Sequence, residues 1–297
     1  MNHVTTAPIQ QYLARWTPRV DARLDALLPP ADAEPAVIHE AMRYSVFAGG
    51  KRLRPALVLL GARAADADEE PVLGVACAVE FMHTYSLIHD DLPAMDDDDL
   101  RRGRPSCHKQ FGEAVAILAG DALNTHAFAV IAGAAPDRAR VADLVLELCR
   151  AAGTDGMVGG QVADLAGEGV SPSLDTVRSI HERKTGALLV SSLRLGAIAV
   201  GAGEEVLGRL TGYGRRMGLA FQIIDDVLDE EGESAELGKT AGKDRAHGKQ
   251  TYPAAVGAAE SRRVAAHLLG EADAIVAGHA AGELLASLSA LILTRRS

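Results

Sequence analysis

Cysteine is scarce in this sequence, with three residues at Cys77, Cys107 and Cys149. So odd and scattered a set offers neither a disulfide framework nor a zinc spacing, and it suggests a reducing cytosol. A basic surplus is missing too: 40 acids face 30 lysines and arginines, a formal net charge of −10. That balance argues against a nucleic-acid binder, whose affinity would rest on Lys and Arg contacts to phosphates. Met1 to Trp16 lacks the uninterrupted apolar stretch of a signal peptide. The most apolar long segment, Gly186 to Ala202, carries Arg194 in its middle and is too short for a bilayer-spanning helix, so a buried helix is expected. These absences predict a cytoplasmic protein that does not span a membrane. Alternating strand patterns are nearly absent.

What is present is helical periodicity, in Ile9 to Leu28, Val72 to Ile88, Val115 to Ile131, Val141 to Ala151 and Leu174 to Val200. Breakers such as Pro29-Pro30, Asp66 to Pro71 and Gly167 to Pro172 separate them. No clean boundary divides the chain, and 48% hydrophobic residues suffice for a large core. The expectation is one all-α domain over residues 1–297. Glycines at 208, 212, 214 and 218 would weaken a helix, which predicts close packing against a neighbouring helix there.

Two acidic clusters dominate the chemistry. Asp90-Asp91-Leu92-Pro93-Ala94-Met95-Asp96 runs on to Asp99, and Asp225-Asp226-Val227-Leu228-Asp229 follows much later. Asp225 and Asp229 are four apart, so on a helix their carboxylates stack on one face, and repulsion at that spacing calls for a cation. Asp90 and Asp96 are six apart and would diverge on an unbroken helix. Pro93 disfavours helical geometry at Leu92, so the chain can bulge and return Asp96 toward Asp90. Apolar sequence leads directly into both clusters, unlike a solvated acidic face. A calcium loop fails because Arg101 and Arg102 stand where a ligand and a glycine are needed. Together the clusters read as one divalent-metal and diphosphate site.

Cations accompany them. Gly50-Lys51-Arg52-Leu53-Arg54-Pro55 precedes an apolar helix, where exposed N–H groups suit phosphate. Arg101-Arg102-Gly103-Arg104 follows the first acidic run directly. Gly238 to Asp244 is not a Walker loop, since three residues rather than four separate its glycines, but its Lys239 and Lys243 could close on a diphosphate. Lys184-Thr185 adds a cation and a hydroxyl. Gln161 and Asp164 fall within one helical turn without a legible role. His83 lies seven residues before Asp90, on nearly the same face. His39, His108, His126 and His181 have no interpretable spacing.

In this order the motifs closely resemble the trans-isoprenyl diphosphate synthases, the short-chain bacterial prenyltransferases that include farnesyl diphosphate synthase. The resemblance runs from about Tyr44 to Pro253. It implies a homodimer of large helical bundles, each around a central cavity. Asp90, Asp91, Asp96, Asp225, Asp226 and Asp229 would hold three Mg²⁺ on an allylic diphosphate, dimethylallyl or geranyl. Arg101, Lys184, Thr185, Gln222 and Lys239 would contact that diphosphate, with Lys243 beside them; Lys51, Arg54, His83 and Arg102 would hold isopentenyl diphosphate. Asp90, Asp96, Lys184, Asp225 and Lys239 would carry the catalysis. Tyr85, with the small Ser86 beside it, resembles the floor that stops growth at (2E,6E)-farnesyl diphosphate; geranylgeranyl or geranyl diphosphate are the alternatives. The C-terminal Arg295-Arg296 loosely resembles a basic tail. A terpene cyclase would not need the second diphosphate site of Lys51 and Arg54, and a non-catalytic subunit would be expected to lose Asp-rich residues.

Overall fold

The computed structural model describes residues 5–171, 173–231 and 249–295, so Lys239, Lys243 and Arg296 lie outside the described residues. Helices α1 (Ala7–Leu27), α2 (Ala36–Val46), α3 (Leu53–Ala64) and α4 (Leu73–Asp90) come first. A short antiparallel pair, β1 (Leu100–Arg101) and β2 (Arg104–Pro105), then leads into α5 (Cys107–Phe111) and α6 (Glu113–Ala134). Next come α7 (Val141–Ala152), α8 (Met157–Ala166), α9 (Leu174–His181), α10 (Ala187–Ala199) and α11 (Glu204–Glu231). After them stand α12 (Tyr252–Val256), α13 (Ala258–Val276) and α14 (Gly282–Leu293). The fold is all-α, as the periodicity requires. One contiguous cluster of buried apolar side chains runs from Ile9 of α1 to Ile292 of α14.

The stretch Leu174 to Val200 is not one regular helix. Residues Glu182–Gly186 form a π-helical turn between α9 and α10, and that turn carries Lys184 and Thr185. A π turn widens the backbone locally, a device often found at functional sites. Its other side is tight: a Cβ on Gly160 of α8 would collide with the backbone of Lys184.

Helices α3 and α10 make the closest crossing. A Cβ at Gly61 would meet the Leu193 carbonyl, and one at Gly196 would meet the Val58 carbonyl. Gly196→Ala is therefore expected to cost on the order of 3 kcal/mol by overpacking. Of the α11 glycines, Gly214 and Gly218 do face neighbouring backbone, with Val190 Cα and Gly186 Cα each 3.2 Å from a built Cβ. Gly208 does not, since nothing lies within 4 Å of its position. Gly208→Ala should thus stabilise the protein by about 0.5–1 kcal/mol. Chemical denaturation of both variants checks the contrast in sign.

Among the described residues, two helices are long and apolar enough to cross a membrane, α4 with its preceding turn and α6. Helix α4 is mostly enclosed by the fold, as a core helix should be. Helix α6 is enclosed over only 39% of its apolar window, and Ile117 and Leu118 stand exposed on it. Exposed Leu146 of α7 and Val158, Val162 and Leu165 of α8 add to the uncovered apolar surface.

Candidate active site

Helix α4 delivers the first acidic cluster at its C-terminal end, where the helix dipole disfavours carboxylates. Beyond Pro93 the chain turns back on itself. Asp96 N–H donates to the Asp90 carbonyl at 2.9 Å, and Asp98 N–H donates to the Asp91 carbonyl at 3.2 Å. Asp90 and Asp96 are thereby brought into one cavity of about 220 Å³. Helix α11 supplies Asp225, Asp226 and Asp229 to the same cavity, which Lys184, Gln222, Asp98, Arg101 and Asp164 also line.

Each polar wall is internally braced. Lys184 Nζ sits 2.6 Å from Asp164 Oδ2, so Asp164, whose part the sequence leaves open, anchors the lysine of the π turn. Thr185 Oγ1 donates to Gln222 Oε1 at 2.8 Å, and Gln222 Nε2 donates to Asp226 Oδ1 at 3.2 Å. Asp226 Oδ2 accepts from the Tyr252 N–H at 3.0 Å and has His181 Nε2 at 3.3 Å. Asp226 is thus held from three elements, and Thr185 acts behind Gln222 rather than at the cavity wall.

Asp91 does not line the cavity. It is 2% exposed, and Arg101 Nε reaches both of its carboxylate oxygens, at 3.0 and 3.2 Å. Arg101 also contacts Asp98 at 3.3 Å, so this arginine organises the acidic loop as well as facing the cavity. Tyr85 and Ser86 do not line the cavity either, which reaches only to Leu87 on their side. Ser86 donates to the His83 carbonyl at 2.9 Å.

A second basic cluster stands apart from this wall. Arg54 Nη1 lies 3.1 Å from His83 Nε2, and Arg102 Nη1 donates to the Gly49 carbonyl. The turn before α3 needs left-handed backbone at Gly49, Gly50 and Arg52, and the Arg102 guanidinium packs where a Gly50 Cβ would stand. Burial, opposed by Glu80 and aided by Arg102, pushes Arg54 down to about 10. Burial and Arg295 likewise lower Lys51. Depressed cations crowded together mark a place that favours an anion.

Lys249, Gln250 and Thr251 also line the cavity, and the sequence reading missed them. Lys249 Nζ contacts Asp96 Oδ1 at 3.0 Å, bridging from the segment before α12 to the first cluster. The signal available was a lysine two residues before Thr251, whose hydroxyl caps α12 by accepting the Ala254 N–H. His181 is the other omission; it is buried and stacks on Tyr252 at 5.8 Å. Arg295 lies over the Phe221 ring at 4.7 Å and reaches Asp225 at 3.3 Å.

The donor set suits magnesium. It is all oxygen, from carboxylates on two facing helices, and its electrostatics call for cations. Burial first, and Asp96 and Asp91 besides, push Asp90 up to about 6, against Lys184 and Arg101. Asp96 is lowered instead, because Lys249 and Lys184 outweigh its burial. A raised carboxyl stabilises the metal-free fold at low pH, and that contribution is lost as pH rises through about 6. Cation binding must therefore expel a proton near that pH. Calorimetric titration of Mg²⁺ in two buffers of different ionisation enthalpy should register about half a proton released per chain at pH 6 and almost none at pH 8. In Asp90→Asn the pH 6 release should vanish.

The polyprenyl synthetase pattern matches residues 35–279. The chain is 47% identical over 269 residues to geranylgeranyl pyrophosphate synthase 11, chloroplastic, of Arabidopsis thaliana, covering 89% of this chain and 75% of that protein. Among solved structures, an FPP/GFPP synthase from Zymomonas mobilis superposes with a TM-score of 0.86 at 36% identity, over 98% of this chain and 100% of the other. A geranyltransferase from Helicobacter pylori, complexed with magnesium and isoprenyl diphosphate, gives 0.84 at 31% identity over 96% of each chain. With carboxylates and lysines from α4, α8, α11 and the π turn meeting in one cavity, and relatives of this kind along nearly its whole length, the chain belongs to the polyprenyl synthetase family and is a trans-prenyltransferase.

Proposed function

We propose that the protein condenses an allylic diphosphate, dimethylallyl or geranyl, with isopentenyl diphosphate in a Mg²⁺-dependent reaction, and that its main product is (2E,6E)-farnesyl diphosphate. One observation carries this reading: a cavity with carboxylates on two facing walls stands beside a second basic group, with Arg54, His83 and Arg102 half-buried and Lys51 exposed. Two diphosphates need two such places.

Asp90 and Asp96 on one side, and Asp225, Asp226 and Asp229 on the other, would hold magnesium, three ions by family resemblance. Bound magnesium would neutralise the charge that builds on the leaving pyrophosphate. Lys184, oriented by Asp164, and Lys249, beside Asp96, add fixed positive charge at the same wall. The C1–O bond of the allylic substrate breaks, and its electron pair leaves with pyrophosphate. The allylic cation is then attacked by the double bond of isopentenyl diphosphate, which the Lys51 and Arg54 cluster holds in place. A C2 proton passes to the departing pyrophosphate, so the protein needs no nucleophile or base of its own. Leu87 and Ile180 supply the apolar part of the cavity wall, against which the cation would be kept from water.

Chain length admits a second reading. The Arabidopsis relative is named for geranylgeranyl diphosphate, which favours a C20 product; Tyr85 favours C15. The uncovered apolar face of α6, α7 and α8 supports assembly as a homodimer through that surface.

Purified protein supplied with Mg²⁺ and both substrates should release pyrophosphate, and EDTA should abolish the release. Lys51→Ala and Arg54→Ala should raise KM chiefly for isopentenyl diphosphate, whereas Lys184→Ala should act on the allylic substrate and its ionisation. Equal weakening of both substrates in every variant would refute two separate sites, and no turnover of any allylic substrate would refute the reaction.

A further inference from the structure

The loop that returns Asp96 to Asp90 has a second face. Asp98 is buried and faces the cavity, whereas Asp97 and Asp99 are exposed and do not line it. They flank His108 of α5. A ring nitrogen of His108 and one carboxylate oxygen from each of Asp97 and Asp99 lie within 4.8 Å of one another.

His108 is the unusual member. It is only 6% exposed, and its Nδ1 lies 3.0 Å from Ser106 Oγ. Its Nε2 is buried with no hydrogen-bond partner among the described residues. A buried polar atom left so costs about 1–3 kcal/mol and calls for an explanation. With Nδ1–H donating to Ser106, the Nε2 lone pair is the free one. That is the tautomer a metal-ligating histidine adopts, its other nitrogen fixed by a neighbouring oxygen.

We propose that Asp97, Asp99 and His108 form a second divalent-cation site, outside the catalytic cavity, that prefers a transition ion such as Zn²⁺ or Co²⁺ to Mg²⁺. Mixed imidazole and carboxylate ligands suit those ions, whereas magnesium favours the all-oxygen set across the loop. Ligand atoms about 2.0–2.2 Å from a common ion stand roughly 3–4 Å apart, which the exposed aspartate side chains reach by small rotations. Lys109 Nζ contacts Asp99 Oδ1 at 2.7 Å, an exposed ion pair with which the bound ion would compete. Such an ion ties the acidic loop to α5, and so to α6 on which α5 packs.

The test is a Co²⁺ titration of the whole protein, followed by its visible d–d absorption, with Mg²⁺ and methylenebisphosphonate in excess to occupy the all-oxygen site. Wild type should take up one equivalent of Co²⁺ and melt at a higher temperature with it. Affinity should fall at least tenfold in His108→Gln and in Asp97→Asn/Asp99→Asn, and should be unchanged in Asp90→Asn. The exposed aspartate pair can be altered without disturbing the core, so that variant decides the matter if His108→Gln fails to fold. Absence of the Co²⁺ equivalent in wild type, or its survival in the aspartate variant, overturns the site.

Discussion

Asp90→Ala and Asp225→Ala are each expected to lower kcat/KM by about 10²–10³-fold, because each deletes charge stabilisation used at the leaving diphosphate. The two substitutions should nevertheless differ in what they do to the protein itself. Asp90 is strained: burial and its acidic neighbours hold it up to about 6, so removing it relieves a cost at neutral pH. Asp90→Ala should therefore melt no lower than wild type in the absence of magnesium while losing most of its turnover. Asp225 is more exposed, with 38% of its side chain accessible, and contacts Arg295 at 3.3 Å. Its loss should leave stability nearly unchanged, as surface pairs contribute little. Steady-state rates paired with thermal melts separate these effects. Near-normal turnover in either variant would remove that carboxylate from the metal assignment.

The helices and the acidic wall were legible in the sequence because both rest on spacing. Apolar residues at helical intervals gave α1, α4, α6 and α7 nearly to their ends, and Pro93 foretold the bulge that closes Asp96 onto Asp90. What spacing does not carry is pairing across long separations. Asp91 reads like its neighbours, yet a bidentate Arg101 removes it from the cavity wall. Lys249 reaches Asp96 from 153 residues away. His181 meets Asp226 only because the π turn after α9 carries this segment against α11. Gly208 shows the converse error. A glycine in a helix has a recognisable cost, but whether a neighbour exploits the space is a tertiary fact. The product is less legible still, since the Tyr85 motif resembles the farnesyl pattern while relatives of high identity carry geranylgeranyl names.

Tyr85→Ala is expected to shift the product distribution from C15 toward C20 or longer. Tyr85 stands five residues before Asp90 on α4, about a turn and a half deeper along the helix. A prenyl tail anchored at the acidic rim and running along α4 passes Leu87 at the cavity wall before it meets this level. The ring is half-buried and held edge-on to His89, with centroids 5.2 Å apart at 83°. His89 is itself fixed against α6, its Nε2 lying 3.0 Å from the Ile117 carbonyl. The aromatic side chain is thus held against a residue that is itself anchored to α6, as a stop for a growing chain would need to be. Truncation should cost less than the roughly 3–5 kcal/mol typical of a fully buried aromatic, so the variant should remain folded and its products measurable. Chromatography of the dephosphorylated products, at matched conversion, gives the comparison. A wild type that already makes mainly C20 would remove the support for a farnesyl product. An unchanged distribution in Tyr85→Ala would show that the tail is stopped elsewhere, by residues below Leu87 on the facing helices, and Tyr85 would then be a packing residue between α4 and α6.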